Sequence, residues 1–297
     1  MSFRPARFTG VASGGAVAAV ALVLAAVLMA VAIGWDISTA KFLAFVGVFA
    51  LVAVAALFAY WTYALLTLSY DLSEEALTIR WGFLRQIVPL ATIQRFVPGR
   101  EARLPPVQGV NWRGCHVGRG TVEGVGETLF YSTHRSPWDV IYIGTPSMAY
   151  AISPENHVRF VMELQHLLRE TSGEGAPVSP RAAYPALAAH PFWLDRYGQL
   201  LALAAIAANV ALFGFVSGVY PGLADKLNLA FPPVGVIDLR SKDELFQIPL
   251  TALALLAVSL AAALAVHRWE RAASYLLLAG ALFTQGVLWI GAAIAVT

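Results

Sequence analysis

Charge is what this sequence has least of. Only 13% of its 297 residues are Asp, Glu, Lys or Arg, against roughly 25% in an average soluble domain. The formal net charge is +2, so no bulk electrostatic attraction to nucleic acid is available. One cysteine, Cys115, excludes an internal disulfide and any thiolate metal cluster; the residue reads as a small core filler in a reducing compartment. No His-Glu-x-x-His pair and no Gly-x-Ser-x-Gly elbow occur. The glycine-spaced "GRGTVEG" at Gly118–Gly124 lacks the Gly-Lys-Ser/Thr ending of a phosphate loop, and strand-linking turns account for it. His116 follows Cys115 directly, so in a strand their side chains face opposite ways. These absences lead to the expectation of no catalytic residues, no cofactor and no metal.

What the chain has in abundance is apolar length. Hydrophobic residues make up 58% of it. Five uncharged runs stand out: Phe8–Trp35, Phe42–Tyr70, Tyr197–Ala224, Leu245–Val266 and Ala272–Thr297. About twenty helical residues cross a hydrocarbon layer of about 30 Å, and each run is long enough. The expected spans are about 8–35, 42–69, 197–222, 245–266 and 272–296. Although Arg4 and Arg7 precede the first, its apolar stretch is longer than a signal peptide needs, so it is read as a retained anchor.

Orientation follows from basic residues near the span ends. Arg4 and Arg7 precede span one, and "HRWER" at His267–Arg271 links spans four and five. Placing both in the cytoplasm puts residues 70–196 there too, and puts the 221–244 loop and the C-terminus outside. The expected location is the inner (cell) membrane. No run contains Asp, Glu, Lys or Arg, which argues against ion-coupled transport. Gln199, Asn209 and Gln285 read as interhelical hydrogen-bonding groups, and Gly214 and Gly218 as a small-x-x-x-small packing contact.

Between spans two and three the pattern changes to period two. In "ALTIRWG", Leu77, Ile79 and Trp81 alternate with Thr78 and Arg80, and "LSYDL" supplies a partner strand across the turn "SEEA". Further strands are expected at "RQIVPL", "CHVG", "TLFYST", "DVIYIG" and "MAYAI", with one helical turn at "ATIQRF". A closing helix is expected after Ser153 as N-cap and Pro154 at its first position, with Val158, Val161, Leu164 and Leu168 on its apolar face. Residues 171–196 form a Gly/Pro/Ser-rich linker. Short strands at such intervals argue for a closed sandwich or barrel.

In this order, "YDLSEEALTIRWGFLRQIVPLATI", "GCHVGRGTVEGVGETLFYST" and "VIYIGTPSMAYAISPENHVRFVMEL" resemble a bacterial pleckstrin-homology-like (PH-like) domain over roughly Leu68–Glu170. The resemblance implies a β-barrel with a C-terminal helix and a non-catalytic binding role. The first hairpin tip, Ser73–Ala76, is acidic and so excludes inositol-phosphate recognition there. Arg80 and Arg85 are candidate membrane-surface contacts, because their strand emerges from the bilayer. The remaining arginines of the insert read as a solvated mixed surface.

The segment Tyr220–Leu250 is similar to a loop-plus-helix segment of bacterial membrane proteins that also occurs in a bacteriocin-immunity signalling family. Phe231, Gly235, Asp238, Ser241, Lys242, Leu245 and Phe246 match its pattern. Ala230 replaces the expected His, and the Asp-to-Ser spacing is one residue short. Asp238, Ser241 and Lys242 are the candidate outer-loop residues, with helix capping by Ser241 as the plainer alternative.

The expected architecture is thus a membrane α-helical bundle of five transmembrane helices with an inserted cytoplasmic PH-like β-barrel at 70–170. The expected function is a membrane-anchored binding, scaffold or signalling protein. Its partners would be the lipid bilayer and a protein, not nucleic acid, and a homo-oligomer is allowed. The alternative is a passive channel or small-molecule or peptide transporter formed by the bundle.

Overall fold

The computed structural model describes residues 1–101, 105–134, 136–171, 179–183, 190–228 and 239–296. The chain divides into two compact units, one of Met1–Val23 with Val52–Pro185, the other of Leu24–Leu51 with Ala186–Thr297. Five helices are long and apolar enough to cross a bilayer: Phe8–Ile33, Thr39–Leu66, Arg196–Gly222, Lys242–His267 and Arg271–Val296, each of 26 to 28 residues.

The first unit begins with β1 (Ser2–Phe3) and contains the start of α1 (Phe8–Ile33) and the end of α2 (Thr39–Leu66). There follow β2 (Ser69–Leu72), β3 (Ala76–Trp81), β4 (Leu84–Pro89), β5 (Arg95–Pro98), β6 (Gln108–Trp112), β7 (Cys115–Val122), β8 (Gly126–Ser132), β9 (Ile141–Gly144), β10 (Ala149–Ile152), α3 (His157–Thr171) and β11 (Arg181–Ala183). In β3, Leu77 and Ile79 are buried while Arg80 is exposed, so alternation set this strand's faces.

The strands form two sheets, in the orders β1-β2-β3-β4-β11 and β5-β9-β10-β8-β7-β6. Among the described residues no barrel is closed, which corrects the expected topology. The first sheet's edges are taken by β1 and β11, segments that flank the PH-like region and that a closure would have to displace. In the second sheet β10 lies parallel to β8 and antiparallel to β9, so the local meander is broken.

Between the sheets lies the main core. Tyr70, Leu77, Ile79 and Val88 of the first sheet meet Cys115, Val117, Ile143, Tyr150 and Ile152 of the second, closed by Phe160 and Leu164 of α3. Phe3 joins from β1, its ring edge-on to Phe160 at 5.2 Å. The second sheet is buried on its other face too, by Val122, Phe130, Tyr142 and Ala151. Two polar links cross between the sheets. The Tyr70 hydroxyl donates to the Tyr131 carbonyl at 2.7 Å and accepts from Ser153 N–H at 3.2 Å. Gln86 Nε2 donates to the Tyr150 hydroxyl at 3.1 Å.

Three local expectations are corrected. Helix α3 starts at His157, and Asn156 Oδ1 accepts from Arg159 N–H as its cap. Ser153 instead accepts from Thr133 N–H at 2.7 Å, and Pro154 bridges Pro5. Of the expected α3 face, Leu164 is buried and Val161 and Leu168 pack against the core, but Val158 is 71% exposed, and Phe160 and Leu167 complete the face. "ATIQRF" holds only the end of a 3-10 turn, Leu90–Thr92, and then the start of strand β5.

The second unit contains α4 (Arg196–Val219), the hairpin β12 (Lys226–Asn228) and β13 (Leu239–Ser241), α5 (Gln247–His267) and α6 (Arg271–Val296), with the end of α1 and the first half of α2. Among the buried residues of α4, α5 and α6 are polar ones that bond to one another. Asn209 Nδ2 donates to Gln285 Oε1 at 3.1 Å and to the Pro249 carbonyl at 3.3 Å, and Gln285 Nε2 donates to the Ala252 carbonyl at 2.9 Å. Gly214 and Gly218 face α2: a Cβ at Gly214 would stand 3.0 Å from the Phe42 ring, and one at Gly218 3.2 Å from Thr39 Oγ1. The small residues permit this close approach within the unit.

Candidate functional site

At the root of the first hairpin, four arginines meet. Arg4 and Arg7, between β1 and α1, come beside Arg80 on β3 and Arg85 on β4, and together they line a cleft of about 540 Å³. The ladder sets part of this, because Arg80 and Arg85 are direct cross-strand partners in the β3–β4 pair. Pairing of β1 with β2 brings in the rest: Ser2 lies opposite Asp71 and Phe3 opposite Tyr70.

The arginines are not equivalent. Arg80 Nε pairs with Asp71 at 2.7 Å, and Arg7 donates to the Leu66 carbonyl at the last residue of α2, where a cation suits the helix dipole. Arg4 and Arg85 are exposed and have no acidic partner among the described residues. One aspartate against four arginines leaves the cleft electropositive. The acidic residues Glu74 and Glu75 sit at the opposite end of the β2–β3 hairpin, about 16 Å away along the strand.

An aromatic collar adjoins the cleft. The ring of Phe83, in the β3–β4 turn and 59% exposed, stacks on Tyr60 at 5.9 Å and meets Tyr63 at 5.7 Å. Trp112, at the end of β6, packs on Phe58 at 5.5 Å and Trp61 at 5.8 Å. The last turns of α2 thus carry Phe, Tyr and Trp together, the composition found where a helix leaves a bilayer.

The outer-loop candidates have structural roles. Ser241 Oγ accepts from Asp243 N–H at 3.4 Å, the capping alternative. Lys242 Nζ lies 3.2 Å from Asp225 and 5.1 Å from the Tyr220 ring centre, while the Tyr220 hydroxyl donates to Asp243. Phe231, Gly235 and Asp238 lie outside the described residues, as do parts of the 171–196 linker.

Sequence reasoning passed over two polar clusters. In the first unit the His116 and His134 rings stack at 4.0 Å. His116 Nδ1 bonds Asn111 Oδ1 at 2.7 Å, and His134 Nδ1 bonds Ser132 Oγ at 2.8 Å. Eighteen residues separate the two histidines, and only the β7–β8 register, with His116 opposite Ser132, brings them together. Burial pushes the His134 imidazole down to about 4, with the adjacent His116 adding to the shift, and burial lowers His116 as well. In the second unit Asp195 caps α4 through Tyr197 N–H at 3.0 Å and accepts from the Tyr275 hydroxyl at 2.6 Å. Buried His267 places Nε2 3.5 Å from the same carboxylate, while its Nδ1 bonds Ser274 Oγ at 3.1 Å.

The histidine stack predicts a pH dependence. Below the ordinary histidine range an unfolded chain takes up protons that the folded one resists, so stability falls as pH drops from about 6.5 towards 4. The melting temperature at pH 5 should lie below that at pH 7.5, and His134→Gln should shrink the difference. An unchanged difference in the variant would assign the loss to other groups.

A family model described as bacterial PH domain matches residues 68–168. The match covers about a third of the chain and spans β2 through most of α3. No curated protein and no solved structure matches the chain.

Proposed function

We propose that this chain is a non-catalytic, membrane-anchored binding protein whose PH-like domain grips the surface of the leaflet from which its helices emerge. The observation that carries this reading is the four-arginine cleft beside the aromatic collar, at the point where two apolar helices join the domain. Arginine forks suit phosphate oxygens, and a basic patch next to a span is drawn to anionic lipid by about 1 kcal/mol per charge. Arg4 and Arg85 supply the free forks. Arg80, tied to Asp71, and Arg7, tied to Leu66, hold the cleft's shape. The cell membrane, with the N-terminus and this domain cytoplasmic and the C-terminus outside, is the setting that the arginine distribution favours.

The test uses full-length protein in nanodiscs of mixed phosphatidylglycerol and phosphatidylcholine. Native mass spectrometry should find the anionic lipid enriched among retained lipids, and Arg4→Gln with Arg85→Gln should remove most of that enrichment. Arg119→Gln, outside the cleft, should leave it unchanged. Equal retention in wild type and the double variant would sink the headgroup role.

A further inference from the structure

The second unit contains a cavity of about 580 Å³ between the first half of α2 and the facing sides of α4 and α5. Phe42, Phe45 and Phe49 from α2, Phe213 from α4 and Phe246 before α5 contribute five aromatic rings to its wall. The α2 contributors, from Lys41 to Phe49, recur at spacings of three and four, which places them on one stripe about 12 Å long. Phe49 is 76% exposed, and Val210 and Leu253 are exposed at the rim. In a bilayer the cavity would therefore open sideways to lipid.

Two polar side chains distinguish it from an ordinary lipid-facing groove. Asn209 and Ser217 line it and are 3% and 6% exposed. Asn209 spends its amide nitrogen on Pro249 and Gln285, and its carbonyl oxygen receives no hydrogen bond among the described residues. The Ser217 hydroxyl has none among them either. Within hydrocarbon, bare polar atoms of this kind are costly, and a native fold rarely keeps them without a partner. The two residues are eight apart on one helix, about 12 Å along its axis. The Ser217 end is the end of Ser38 and Lys41, since neighbouring Gly218 faces Thr39. Lys41 Nζ donates to the Ile33 and Trp35 carbonyls at 3.2 and 2.6 Å, which fixes the cation at the mouth with one N–H left to give.

We infer that this cavity is a binding site for one anionic membrane amphiphile whose chain carries a hydroxyl or amide N–H. The headgroup meets the Lys41 ammonium, the chain beds on the phenylalanines, and the donor on the chain reaches the Asn209 oxygen. A plain acyl chain would fill the same space and leave that oxygen bare. This site lies in a different unit from the arginine cleft and stands or falls independently of it.

The full-length protein, delipidated in mild detergent, would be titrated with 10-hydroxystearate and with stearate, and bound molecules counted by native mass spectrometry. The expected result is one saturable site that prefers the hydroxy acid roughly three- to tenfold, the worth of one net hydrogen bond. Val210→Trp, which fills the cavity from its exposed rim, should abolish both, and Asn209→Leu should erase the preference. Should Asn209→Leu fail to fold, the wild-type preference and Val210→Trp still decide the matter. Equal affinity for the two acids, or no saturable binding, would overturn the inference. So would efficient cross-linking of Phe45→Cys between two copies, which would make the occupant a second chain.

Discussion

Gly10→Val should expose the chain's lone thiol. Helix α1 begins so close to the β6–β7 turn that a Cβ at Gly10 would stand 2.1 Å from the Gly114 carbonyl oxygen. That neighbour is backbone and cannot rotate away. Gly114 itself has φ +83°, a left-handed conformation that glycine adopts without strain, and a Cβ there would come within 2.7 Å of Gly10 N. The Trp112 indole N–H donates to the Gly10 carbonyl at 3.1 Å and closes the junction. Inserting a branched side chain forces these segments apart, at about 1–3 kcal/mol for overpacking. That corresponds to roughly 5- to 150-fold more of the locally open state. Cys115, next in the chain, is fully buried and its thiol is pushed up to about 12 by burial. Maleimide labelling of the native fold should accordingly be very slow, and the variant should label faster by the same factor. Gly15→Val is the control, since a Cβ there meets nothing within 4 Å. Equal labelling of all three proteins would mean that this junction is not closed in solution.

Tyr70→Phe should lower the first unit's stability by about 2 kcal/mol, whereas Tyr142→Phe should cost nothing. Both tyrosines are fully buried, yet their hydroxyls are in opposite situations. That of Tyr70 bridges the sheets, accepting from Ser153 N–H and donating to the Tyr131 carbonyl. Its removal strands a buried N–H. The Tyr142 hydroxyl has no hydrogen-bond partner among the described residues, so its removal relieves an uncompensated desolvation. For a unit of about 160 residues, 2 kcal/mol corresponds to roughly 4–8 °C in melting temperature. Circular dichroism in the sheet region would read the difference. A Tyr142→Phe melt as low as that of Tyr70→Phe would show that the bridge made by the Tyr70 hydroxyl is not what sets the loss.

The strands of the PH-like region were largely legible, because a half-buried strand writes its burial into a period of two. Leu77 and Ile79 against Thr78 and Arg80 is the plain case. Strands β1, β5, β6 and β11 were not legible. Two of them are two or three residues long, too short for a period, and their pairing depends on distant partners. The arginine cleft was half visible. Arg80 and Arg85 lie five residues apart on one hairpin, whereas Arg4 and Arg7 reach them only because β1 pairs with β2. Ser153 fitted a cap pattern, but the backbone donor it serves, Thr133 N–H, lies twenty residues upstream.

Apolar length and alternation by themselves determined where helices able to cross a bilayer, sheet and closing helix would lie, since each rests on hydrogen bonds and side-chain faces set within one segment. Which strands pair, whether the sheets close, and which arginines and histidines stand together were decided by the tertiary structure alone. Those outcomes depend on contacts between residues a hundred or more positions apart, as between Gly10 and Trp112 or Phe3 and Phe160, whose free energy no local pattern encodes.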